Sequence, residues 1–147
     1  MLIPEIGMLV AQKLPYHTCM RCGGCCTGKL IPLYEKDLVR LAGFKGFYLS
    51  TSSLEREVTG AKYKMKMVNS KCTFLDGTTC KVYDRRPDTC RRHPFIVTEK
   101  RSLVSANCPG VDWSRESDDL PYYKSLSSGI SAALDRFIEA RFNSRGR

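Results

Sequence analysis

The run "CMRCGGCCTGK", residues 19 to 29, puts four thiols into consecutive reach of one another. Cys19, Cys22 and Cys25 are each separated by two residues, and Cys26 follows Cys25 directly. Two-residue spacing lets both thiolates of a Cys-x-x-Cys unit face one side of a tight turn, at the separation a tetrahedral metal accepts. Adjacent side chains tend to diverge, so Cys25 and Cys26 are expected to serve different metals or different corners of one cluster. Gly23, Gly24 and Gly28 let the backbone bend tightly and aim amides at sulfur. Cys72, Cys80, Cys90 and Cys108 complete a set of eight cysteines among 147 residues, which divides naturally into two four-ligand sites.

The metal is less constrained by spacing than the ligand type. Three cysteines at two-residue spacing with a remote Cys-Pro follow the ligand grammar of bacterial ferredoxins. Cys19, Cys22, Cys25 and Cys108-Pro109 reproduce it, which leaves Cys26, Cys72, Cys80 and Cys90 for a second site such as zinc. Zinc takes almost any four-thiolate arrangement, so two zinc ions fit the same residues.

Other chemistries fit the run poorly. A thioredoxin-type dithiol needs one Cys-x-x-Cys at a strand-to-helix junction, not four thiols in a row. Gly23, Gly28 and Lys29 satisfy the G-x-x-x-x-G-K of a phosphate loop, but Leu30 stands where a magnesium-binding hydroxyl belongs and no apolar strand precedes. The opening residues lack a basic n-region and a small-residue cleavage pattern, and no apolar stretch is long enough to span a bilayer. A cytoplasmic location is therefore expected, where thiols stay reduced and disulfides are disfavoured.

The 24 Lys and Arg against 15 Asp and Glu leave a formal charge of +9. Four thiolates around one divalent ion keep a net charge of about −2, so part of this excess is expected to compensate clustered sulfur. Arg85, Arg86, Arg91 and Arg92 flank Cys90 and are assigned to charge neutralisation and loop hydrogen bonding, with Asp84 and Asp88 bridging them. Lysines remote from cysteine admit a protein, nucleic-acid or ribonucleoprotein partner. Lys62, Lys64 and Lys66 read as a solvated strand face. His17 and His93, each within three residues of a cysteine, read as polar loop histidines able to replace a thiolate or support one.

The elements that must position these residues are short. Leu33 to Ala42 has a helical pattern with Leu38, Leu41 and Ala42 on one face and Gly43 as its stop. Ser52 with Glu55 forms a capping box ahead of Gly60. "AKYKMKMV" alternates as a half-buried strand, "CTFLDGTTCKVY" reads as a hairpin turning at Asp76-Gly77, and "FIVTEKRSLVS" as a second turning at Glu99-Lys100. Pro87 and Pro94 predict that "DRRPDTCRRHPF" is an ordered loop without regular structure. Leu126, Ile130, Ala133, Leu134, Phe137 and Ile138 fall on one face of a C-terminal helix. The chain thus reads as one small α+β domain with metal-organised loops: a lead-in over 1–18, a cysteine-cluster domain over 19–112, and a C-terminal helical extension over 113–147 packed on it.

"CMRCGGCC", "CTFLDGTTCKVYDRRPDTCRRHPF" and "NCPG" together resemble the YkgJ-type cysteine-cluster (CxxCxxCC) family, from about Cys19 to Gly110. The resemblance implies a zinc- or iron-chelating domain in which Cys19, Cys22, Cys25, Cys26, Cys72, Cys80, Cys90 and Cys108 are each a ligand. A related cysteine pattern occurs in bacterial flagellin lysine N-methylases, thought to use an iron–sulfur cluster, but this chain lacks their long additional region. The expectation is a metal-binding module holding an iron–sulfur cluster (4Fe-4S), zinc or both. The alternative is an iron–sulfur enzyme or electron carrier acting on a larger protein.

Overall fold

The computed structural model describes residues 2–3, 6–20, 23–24, 27 and 30–145. A four-stranded antiparallel sheet forms one half of the domain. Its order is β1 (Leu2–Ile3), β2 (Met8–Ala11), β12 (Ser102–Ser105), β11 (Phe95–Val97). Residues of the lead-in therefore lie inside the sheet, with Leu103 opposite Val10 and Val104 opposite Leu9. Alternation along β11 and β12 serves both faces. Ile96 and Leu103 pack with Ile130, Leu134, Phe137 and Ile138 of α5 (Ser128–Arg145), while Phe95, Val97 and Val104 pack with Leu14 on the other side.

The remaining strands are short and arranged in small sheets. β3 (Pro15–His17) pairs with β13 (Val111–Glu116). β6 (Tyr63–Met65) lies between β4 (Pro32–Leu33) and β5 (Tyr48–Ser50). Two tight hairpins follow, β7 (Met67–Val68) with β8 (Lys71–Cys72) and β9 (Leu75–Asp76) with β10 (Thr79–Cys80). They close a separate core of Ile31, Leu33, Leu41, Phe47, Met65, Cys72, Phe74 and Val82. α1 (Glu35–Arg40) and α2 (Ser53–Thr59) complete this half. The α+β architecture matches the sequence reading, and among the described residues no helix is long and apolar enough to cross a membrane.

Local chemistry explains where the elements begin and stop. Ser52 Oγ accepts the Glu55 N–H at 3.2 Å and Glu55 returns the favour to the Ser52 N–H at 2.9 Å, so the capping box forms as expected. Gly60 ends α2 in the left-handed region at φ 69°. Thr98 N–H donates to the Arg101 carbonyl at 2.9 Å, which places the β11–β12 turn at Glu99-Lys100. The preceding hairpin turns one residue later than its sequence predicts, because Asp76 pairs with Thr79 and leaves Gly77-Thr78 in the loop. The "AKYKMKMV" strand is broken at Lys66, whose N–H turns aside to the Phe47 carbonyl at 2.7 Å.

Two expectations need correction. The segment around Cys90 is not an irregular loop: it holds a 3-10 turn over Tyr83–Arg85 and α3 over Asp88–Arg92. Pro87 is the N-cap of α3, where its missing N–H is harmless, and its carbonyl accepts the N–H groups of Cys90 and Arg91 at 3.0 Å each. The C-terminal helix is likewise two helices, α4 (Leu120–Leu126) and α5, broken at Ser127. The fully buried Ser127 hydroxyl donates to the Tyr123 carbonyl at 2.7 Å and accepts the Val97 N–H at 3.0 Å, tying the break to the sheet.

Gly129, inside α5, lies under the Tyr34 ring. A Cβ built there stands 2.8 to 2.9 Å from three ring carbons. Tyr34 cannot retreat freely, since its hydroxyl donates to the Thr59 carbonyl at 2.6 Å. Helix propensity alone makes Gly129→Ala stabilising by about 1 kcal/mol. The packing reverses the sign, and the variant should lose about 1–2 kcal/mol through overpacking. The midpoint of urea unfolding measures it; a stabilised variant would show that the ring yields without loss.

Candidate metal centre

Three of the predicted ligands come from distant elements to one cleft. Cys19 follows β3, Cys90 sits on α3, and Cys108 lies between β12 and β13; all three line a cleft of about 220 Å³ together with His17 and His93. The Cys108 sulfur is 3.6 Å from His17 Nε2. Tyr83, Tyr122 and Tyr123 line the same cleft, as do Arg86 and Arg91.

The back of the cleft is a backbone contact. Thr18 N–H donates to the Gly110 carbonyl at 3.0 Å, and His17 pairs with Val111. A methyl group on Gly110 would run into the Thr18 carbonyl oxygen and approach the His17 ring to 3.2 Å. Only glycine therefore allows the chain after Cys108 to close on the chain before Cys19. The His17 ring also meets Phe95 edge-on at 5.9 Å. Burial lowers its pKa, which favours the neutral imidazole that can ligate a metal or accept a proton from sulfur.

A buried ionic joint holds α3 against α1. Asp37, with no exposed surface, accepts the N–H of Tyr34 at 2.9 Å and of Asp88 at 3.0 Å, and Arg40 Nη1 lies 3.2 Å from it. Arg40 also reaches Asp88 at 3.2 Å and the Arg86 carbonyl at 3.0 Å. The other Asp88 oxygen accepts no aligned hydrogen bond and is held by the Lys36 ammonium at 2.6 Å. Thr89 Oγ1 donates to the Pro32 carbonyl at 2.8 Å, fixing the turn that carries Cys90. Asp88 thus pairs with Lys36 and Arg40 across the fold, not with the arginines beside it in sequence.

Those arginines mostly bind carbonyls. Arg85 donates to Arg40 and Ala42, Arg86 to Tyr83, and Arg91 to Arg86 and Asp84. Arg92 is buried and donates to Phe95 at 3.4 Å. Desolvation depresses its pKa, opposed by Tyr34, Cys90, Asp88 and Asp37 around it.

Cys72 and Cys80 lie on the other side, with Cys72 in the first core cluster and Cys80 and Cys90 packed against it. The described part of the cysteine run sits between the two groups. Gly23 lines the cleft and abuts the β9–β10 hairpin, with its built Cβ 3.6 Å from Thr78 and 3.7 Å from Leu75. Thr27 forms an antiparallel bridge with Lys71, the neighbour of Cys72, and its hydroxyl closes onto the Gly23 carbonyl at 3.0 Å. Cys22, Cys25 and Cys26 lie outside the described residues. Among the described residues, no three His, Cys, Asp or Glu side chains form a metal-holding group by themselves.

Sulfur and imidazole donors thus line one cleft with cationic and tyrosyl walls, the donor types a cysteine-rich metal-binding domain would use. The chain belongs to the CxxCxxCC family, described as "Putative zinc- or iron-chelating domain", which matches residues 18–109. It is also 37% identical over 97 residues to an uncharacterized protein of Methanocaldococcus jannaschii. That match covers 63% of this chain and 51% of the relative, so the chain spans about half of the relative's length. No solved structure matches.

Proposed function

We propose that the protein is a metalloprotein whose eight cysteines hold zinc, an iron–sulfur cluster or both, and that the loaded domain presents a rigid surface to a partner. One observation carries this reading: Gly23 and Thr27 of the cysteine run lie between the Cys19–Cys90–Cys108 cleft and the hairpins bearing Cys72 and Cys80. Thiols supplied by the run would complete sites that the described residues leave short of ligands. The donor chemistry fits both candidate groups, since thiolate serves zinc and iron–sulfur clusters alike and neutral imidazole substitutes in either. In the ferredoxin-like division, Cys19 and Cys108 belong to one site; Cys90 stands at the junction, facing their cleft while packing beside Cys72 and Cys80.

A second reading, an iron–sulfur enzyme or electron carrier, draws on the open cleft itself. Tyrosines and arginines beside the sulfurs leave room for a reactant or redox partner of about 220 Å³. Anaerobic purification with elemental analysis and visible absorption identifies the metal on which both readings depend, and zinc alone would exclude the second. A colourless protein with stoichiometric zinc excludes the iron–sulfur assignment. A brown protein bleached by dithionite excludes the all-zinc one, and protein that acquires neither metal overturns both.

A further inference from the structure

The eight cysteines are enough to fill two four-ligand shells. The imidazole of His17 therefore stands beside Cys108 as a donor that coordination does not require. Its Nε2 lies 3.6 Å from the Cys108 sulfur, although the two residues are 91 positions apart in the chain.

The ring is held in that place from several sides. His17 pairs with Val111 across the β3–β13 ribbon, and the next residue, Thr18, donates its N–H to the Gly110 carbonyl at 3.0 Å. The backbone carrying the ring and the backbone just beyond Cys108 are thereby tied together. Phe95, with no exposed surface, meets the ring edge-on at 5.9 Å and is itself braced by Tyr123 at 4.7 Å. On the Nε2 side the ring lies against Gly110, where a Cβ would stand 3.2 Å from Nε2 and from Cδ2.

Two chemistries fit a nitrogen so close to sulfur, and the other ring nitrogen distinguishes them. A ligating Nε2 requires the proton on Nδ1, and metal-bound histidines almost always give that N–H to a carboxylate, a carbonyl or water. His17 Nδ1 makes no hydrogen bond among the described residues, so no protein group there fixes the ligating tautomer. With the proton on Nε2, the contact becomes an N–H···S hydrogen bond. We infer that His17 is a positioning residue whose Nε2–H donates to the metal-bound thiolate of Cys108. The inference rests on the metalloprotein reading proposed above and names what one uncoordinated side chain does in it. The hydrogen bond draws charge from the sulfur, which makes the thiolate a weaker nucleophile and, on an iron–sulfur cluster, favours the reduced state.

Iodoacetamide alkylation of the metal-loaded full chain, followed cysteine by cysteine through peptide mapping, tests it. His17→Phe keeps a ring against Phe95 without the N–H, whereas His17→Gln restores an amide N–H at a similar reach. Cys108 of His17→Phe should react about tenfold faster than in the parent, the loss of one hydrogen bond to a charged group. Metal content and the other cysteines' rates should be unchanged, and His17→Gln should bring Cys108 back toward the parental rate. If the parent is brown, its reduction potential should fall in His17→Phe and recover in His17→Gln. An unaltered Cys108 rate in His17→Phe, or equal acceleration of every cysteine in both variants, overturns the donor role while the metal reading stands. Loss of metal from both variants, with a nitrogen neighbour in the parent's metal-edge X-ray absorption, would make His17 a ligand and overturn it too. A parent that takes up neither zinc nor iron overturns the metalloprotein reading and this inference with it.

Discussion

Cys90→Ser protein, purified beside the parent, should bind its metal at least a hundredfold more weakly and melt earlier. A hydroxyl is a poor replacement for a thiolate on zinc or iron, and Cys90 occupies the junction between the cleft and the first core cluster. At a fixed metal concentration near saturation, a hundredfold loss of affinity removes about 2.7 kcal/mol of ligand stabilisation. For a domain of this size that lowers the melting midpoint by about 5–10 °C. A chelator supplies the control, because parent and variant should then melt nearly together. Cys26→Ser should lose metal in the same way. Metal content and melting equal to the parent's in either variant would remove that residue from the ligand set.

Asp37→Ala should destabilise the domain by about 3–5 kcal/mol, the range for breaking one partner of a buried ion pair. The loss exceeds that of a surface bridge because the carboxylate, with no exposed area, satisfies the N–H groups of Tyr34 and Asp88 as well as Arg40. Its removal strands two backbone donors and leaves Arg40 facing Asp88 alone. Denaturant unfolding of metal-free protein measures the effect without interference from ligand binding. A loss below about 1 kcal/mol would mean that water replaces the carboxylate and that α3 is anchored elsewhere. The metal-loaded form should suffer as well, since the Asp88 N–H opens the helix that bears Cys90.

What the sequence revealed followed the range of the interaction. The Ser52–Glu55 box, the Gly60 stop and the Glu99-Lys100 turn are settled within a few residues, and all were legible. The shift of the other hairpin to Gly77-Thr78 depends on pairing register, which a turn dipeptide does not determine. Helix α3 was missed because Pro87 and Pro94 were read as interruptions, although Pro87 stands where a helix tolerates it. Strand β2 was passed over since Met8–Ala11 finds its partner in β12, more than ninety residues away. The joint of Asp37, Arg40 and Asp88 left no local trace either. At the candidate site the cysteines announced themselves by type and spacing. The approach of Cys19, Cys90 and Cys108, and of His17 to sulfur, is a product of long-range packing. A signal for His17 was present in its place two residues before the cysteine run, but residue type alone favoured a solvent-facing loop.

The backbone clasp of Thr18 with Gly110, extended by β3 and β13, encloses every cysteine of the chain between its two arms. Cinching a segment of roughly 90 residues carries an entropic penalty of about 4–5 kcal/mol, which the pairing of β3 with β13 helps to offset. The drawstring therefore makes the two arms that flank the cysteines answer for the closure of everything between them.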